Sequence, residues 1–168
     1  MLTILKKGLL LFSSLFLSKN QKLVKRWTKE HERIVVLTHR VLAEYSKNNH
    51  KLAKHELKLL SNLVIDHVTH ENIEFYKLLK EESLISTKSK KSTKEFIDTF
   101  KNIRLDLTKF LTKYTQESVE LDEEFFDTLN EISEVLIKRI NYEEENLYRL
   151  LNNEEDNNKE WEKHKRKF

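Results

Sequence analysis

The chain contains no cysteine, no proline and a single glycine, Gly8. The missing cysteine excludes disulfides, thiolate metal sites and cysteine nucleophiles, and leaves the compartment open. Sheet proteins turn often, and turns draw on glycine and proline; the lack of both argues against a sheet. There is no Gly-rich phosphate loop, and no serine sits in a nucleophile-elbow context that a Ser-His-Asp triad would need. The net charge is only +3, with the two signs interspersed and no dense basic stripe, so nucleic acid is not an expected partner. Nor is there a long apolar run. The stretch from Gly8 to Leu17 is ten residues, against the roughly 20 that cross a bilayer as a helix.

What remains is the composition of long amphipathic helices. Charged residues make up 35 % of the 168-residue chain, and Lys, Glu and Leu dominate. The length fits one domain. Past residue 20 the apolar positions repeat at alternating steps of three and four. Helix one carries Val24, Trp27, His31, Ile34, Thr38, Val41 and Tyr45 on its stripe, and Asn48-Asn49 ends it, since Asn tolerates the left-handed cap position. Helix two carries Leu57, Leu60, Val64, His67, Glu71 and Leu78 and ends near Glu82. The polar, basic, Ser-rich segment Ser86 to Lys91 reads as a loop, and Ser92 with Glu95 has the capping-box spacing for a new start. Helix three carries Phe96, Phe100, Ile103, Leu107 and Tyr114; helix four carries Leu129, Ile132, Leu136, Arg139, Glu143, Leu147 and Leu150. Four such helices with short connections predict an all-α, up-down-up-down antiparallel bundle over residues 21–152. A charged tail follows at 153–168.

Residues 1–20 stand apart. MLTILKKGLLLFSSLFL, wound as a helix, has one narrow polar face of Lys6, Lys7, Ser13 and Ser14. That suits a segment docked on the bundle or an in-plane membrane anchor. A cleaved signal fits less well, because Ser18-Lys19-Asn20 offers no small-x-small site. The expected location is cytoplasmic, with contact to the inner face of the membrane if residues 1–17 touch lipid.

His31, His67 and Glu71 fall where the stripes should be apolar. A buried imidazole or carboxylate is costly unless it is paired or bound to a metal. His67 and Glu71 are four apart and share a helix face, and His31 lies on the neighbouring stripe. Two imidazoles and a carboxylate converging in a bundle core can hold iron, manganese or zinc. The second half of the chain echoes the first: HVTHENIEFYKLL from His67 matches RINYEEENLYRLL from Arg139. Glu143 then matches Glu71, while Arg139 replaces His67 and Phe100 stands at the place of His31. Arg139 keeps its proton and ligates no metal. Placed between Glu71 and Glu143 it would close the cluster by charge alone; pointing outward it would leave a metal site open. His70, one step off the stripe, is a candidate for an outer hydrogen bond. His39 reads as a boundary residue, and His50, His55 and His164 as solvated.

EHERIVVL from Glu30 and DHVTHENIEFYKLL from Asp66 resemble the first half of a hemerythrin-like domain with HHE cation-binding motifs. The resemblance covers residues 24–150 and implies a non-haem iron site, used to bind or sense oxygen, nitric oxide or redox state rather than for catalysis. Its ligands would be His31, His67, Glu71 and Glu143. The two missing second-half histidines make a single ion, or none, the expectation in place of a full di-iron centre. LVKRW from Leu23 and EFFDTLNEISEVLIKRINYEEENLY from Glu124 are similar instead to regulators of the Rsd and AlgQ type. That second resemblance implies a metal-free bundle that binds a protein partner, a sigma factor of RNA polymerase.

Overall fold

The structure is a computed structural model and describes residues 18–80 and 87–149. The expected N-terminal segment 1–17 and the charged tail lie outside the described residues. Among the described residues every regular element is helical: α1 (Lys19–Ser46), α2 (His50–Lys80), α3 (Thr87–Tyr114), α4 (Glu123–Tyr142) and a π-helical turn, Glu143–Leu147, that continues α4. None of these helices is long and apolar enough to cross a membrane.

The helix ends follow local chemistry. Ser18 and Gln21 form a reciprocal capping box: the Gln21 amide donates to Ser18 Oγ at 3.1 Å and the Ser18 amide to Gln21 Oε1 at 3.0 Å. Helix α1 therefore begins at Lys19, slightly earlier than the stripe suggested. Asn48 turns the chain with φ at 58°, the left-handed conformation expected of the Asn pair. Asp122 caps α4 by accepting the Phe125 amide at 2.8 Å. One boundary differs from expectation. Helix α3 already begins at Thr87, so Ser92 lies inside it and the loop ascribed to Ser86–Lys91 is helix from Thr87 onward. Serine and lysine are tolerable helix residues, and with no Gly or Pro in the segment nothing local stops the helix from extending.

Helix α1 packs against α2 and α4, and α2 packs against α3. The core is in two apolar clusters. The larger joins Ile34, Val41, Leu57, Val64, Leu107, Leu111, Phe125 and Leu136, among others. The smaller joins Trp27, Phe75, Phe96, Leu147 and Tyr148. Each large aliphatic or aromatic side chain so buried contributes about 1.5–3 kcal/mol. On α1, α2 and the end of α4 the two clusters are separated by polar positions: His31 between Trp27 and Ile34, His67 and Glu71 before Phe75, and Arg139 and Glu143 between Leu136 and Leu147. The polar layer is thus closed above and below by hydrocarbon. Thr38, also on the α1 stripe, needs no such layer, because its hydroxyl donates to the Ile34 carbonyl at 2.9 Å.

Candidate metal centre

The five residues singled out on the stripes come together. His31, His67, Glu71, Arg139 and Glu143 are all buried, and both carboxylate residues are 0 % exposed. The two imidazoles meet nitrogen to nitrogen, with His31 Nε2 2.9 Å from His67 Nε2. Each turns its other nitrogen to an outer carboxylate: His31 Nδ1 lies 2.8 Å from Glu144 Oε1, and His67 Nδ1 lies 2.9 Å from Glu30 Oε2. With each Nδ1 turned to a carboxylate, the two Nε2 atoms face each other across 2.9 Å, a separation that calls for a proton or a metal ion between them.

Arg139 lies between the two buried carboxylates. Its Nε donates to Glu143 Oε1 at 2.5 Å and its Nη2 to Glu71 Oε2 at 3.0 Å. The other Glu71 oxygen accepts the Tyr148 hydroxyl at 2.7 Å. The other oxygen of Glu143, Oε2, is buried without a hydrogen bond and sits 3.3 Å from His31 Nε2. So the guanidinium takes one oxygen of each carboxylate but does not reach the imidazole side of the cluster. Of the two placements posed by the sequence, Arg139 takes the inward one, between Glu71 and Glu143, and does not point outward.

The electrostatics follow from burial. Burial, and then the Glu143 charge, push the Glu71 carboxyl well above the ordinary carboxylate range against the pull of Arg139. Burial acts the same way on Glu143, but Arg139 and His31 outweigh it and hold that carboxyl below its ordinary value. Burial pushes the His67 imidazole down, partly offset by Glu30. Burial and the carboxylates of Glu71 and Glu143 push the Tyr148 phenol far up, so it stays a donor. Glu71 and Glu143 lie on the buried Arg139 guanidinium, while Glu144 and Glu30 lie on His31 and His67, with Arg26 3.4 Å from Glu30 nearer the surface.

The donor set fits a metal ion. His31, His67, Glu71 and Glu143 each offer a ligand atom, and all four atoms lie within 4.8 Å of one another. Nitrogen ligands at about 2.0–2.1 Å from one ion and at right angles stand about 3 Å apart, which is the separation of the facing Nε2 atoms. His31, His67 and the free oxygen of Glu143 make a two-histidine, one-carboxylate group of the type that holds non-haem iron(II) with open positions. The carboxylates on Nδ1 fix each ring's orientation and raise its basicity, as is usual for metal-bound histidine.

Glu30, Glu144 and Tyr148 were not found from the sequence. Glu30 and Glu144 are one step off their stripes, in a chain whose acidic residues mostly mark wet faces. Tyr148 depends on the π turn. The Tyr148 amide donates to the Glu143 carbonyl, five residues back, and the extra residue in that turn brings both Leu147 and Tyr148 inward. Its counterpart in the repeat, Tyr76, continues an ordinary α-helix and is 49 % exposed, against 3 % for Tyr148. Such π turns recur at functional sites. His70 is corrected: it is exposed, because it stands about 100° around α2 from Glu71, and Glu30 and Glu144 take the outer role expected of it. His50 and His55 are exposed, as expected, and His39, read as a boundary residue, is exposed as well. No family model matches this chain, and no curated protein or solved structure is significantly similar to it.

Proposed function

We propose that this chain is a hemerythrin-like bundle with up-down-up-down helices that holds one metal ion, non-haem iron first among the candidates. In this reading it binds or senses a small gas or redox state rather than catalysing turnover. The observation that carries the metal is the pair of facing Nε2 atoms, 2.9 Å apart, with both Nδ1 atoms on carboxylates. Such a pair needs a cation between its nitrogens, either a proton or a metal ion. Burial pushes His67 away from the proton, and the unpartnered Glu143 oxygen beside His31 supplies a further ligand. Two imidazoles and a carboxylate favour iron over magnesium or calcium, which prefer all-oxygen sites. The shared cluster of Trp27, Phe75, Phe96 and Leu147 supports the antiparallel order, since it joins the starts of α1 and α3 to the ends of α2 and α4.

A bound redox-active ion would supply electron exchange and a position for a small ligand. The chain's own part is to hold that position dry. The two apolar clusters bound it on either side, the Tyr148 hydroxyl orients Glu71, and the Tyr148 ring stacks on His31 with centroids 5.7 Å apart.

One observation favours the metal-free reading: the position of Arg139 between Glu71 and Glu143. Metal analysis separates the two. Tag-free protein is expected to carry about one equivalent of iron, manganese or zinc per chain, and His67→Ala to carry none. A wild-type chain without stoichiometric metal, even after anaerobic loading, would sink the proposal.

A further inference from the structure

We infer that Arg139 is a built-in cation standing in for a second metal ion, and that it limits this centre to one. The inference rests on the metal-binding reading above. Each half of the chain brings an i,i+4 pair to the cluster, His67 with Glu71 and Arg139 with Glu143. Two buried carboxyl groups, Glu71 and Glu143, lie side by side in that cluster and act on each other's charge. On one side the facing imidazoles leave a place for an ion. On the other side the place is filled: the Arg139 guanidinium bridges one oxygen of Glu71 and one of Glu143, at 3.0 Å and 2.5 Å. Bridging two carboxylates is what a second metal ion would do there.

The surroundings of Arg139 are built for an organic cation. Its Cζ lies 5.6 Å from the centroid of the Phe96 ring and 5.5 Å from that of Phe100, both on α3. Aromatic faces attract a guanidinium through their quadrupole, but they offer no lone pair to a metal. Phe100 occupies the α3 position that matches His31. The two departures from the repeat, Phe100 and Arg139, are therefore one unit: a fixed charge and the ring that packs against it. Guanidinium keeps its charge at any pH a protein survives, so this half of the cluster is balanced before any ion arrives. The departures redistribute charge rather than degrade the site.

The test is an anaerobic cobalt(II) titration of the full chain, read by absorption and by metal content after desalting. It compares the wild type with Arg139→Lys and Arg139→His, each checked for folding by circular dichroism. The wild type and Arg139→Lys are expected to plateau at one ion per chain, and Arg139→His at two. A wild-type plateau of two overturns the inference, as does a folded Arg139→His that stays at one. Metal in Arg139→His but none in the wild type also overturns it, because Arg139 would then exclude every ion. No metal in either chain rejects the metal-binding reading itself. If Arg139→His does not fold, Arg139→Gln is read the same way, since it frees both carboxylates for a second ion.

Discussion

Arg139→Met is expected to destabilise the metal-free bundle by about 3–5 kcal/mol, the usual effect of removing one partner from a buried ion pair. Methionine has a similar reach, so little packing volume is lost. What is lost is the buried cation between Glu71 and Glu143, both 0 % exposed. Two carboxylates without water then have to share a proton or repel each other. Urea melts would show a lower midpoint with an unchanged slope. Adding Glu71→Gln should recover part of the loss, because the remaining carboxylate no longer faces a second charge. A loss below about 1 kcal/mol, the range of exposed pairs, would contradict the placement of Arg139 in the core.

The second large effect is on thermal stability. A ligand that binds only the folded state, at a hundred times its dissociation constant, stabilises it by about 2.7 kcal/mol. For a domain of this size that is an upward shift in melting temperature on the order of 10 °C. Iron(II) or manganese(II) is expected to produce such a shift under anaerobic conditions, and a chelator to reverse it. His31→Ala and Glu143→Gln should both lose the shift. The first removes the Nε2 that stands 2.9 Å from His67 and 3.3 Å from the free Glu143 oxygen, and the second removes that oxygen's charge. An equal shift in His31→Ala would place the ion on the acidic surface instead.

Much of this centre was legible from periodicity. His31, His67, Glu71, Arg139 and Glu143 interrupt stripes that are otherwise hydrocarbon, and each of them is buried. Thr38 interrupts a stripe as well, and its bond to the Ile34 carbonyl shows why a hydroxyl there signals nothing. The residues that escaped detection did so for physical reasons. Glu30 and Glu144 hydrogen-bond from the edge of the core, where a carboxylate is unremarkable in a chain with this many charges. Tyr148 turns inward only because the π turn adds a residue after Glu143, and a 3.6-residue stripe has no means of announcing that change of phase. The start of α3 was missed because serine and lysine carry a weak local preference that the rest of the helix overrides. The pairing of Arg139 with Phe100 needed three dimensions, since the residues come from different helices.

The central claim is that a metal ion, rather than a shared proton, sits between the imidazoles of His31 and His67. Anomalous scattering from crystals of iron-loaded protein, recorded above and below the iron edge, tests it most directly. The account predicts one peak per chain within about 2.0–2.2 Å of both Nε2 atoms, with the free oxygen of Glu143 turned toward it and the Arg139 guanidinium still bridging Glu71. An anomalous map with no peak there, and the two Nε2 atoms still about 3 Å apart across a single shared proton, would contradict it.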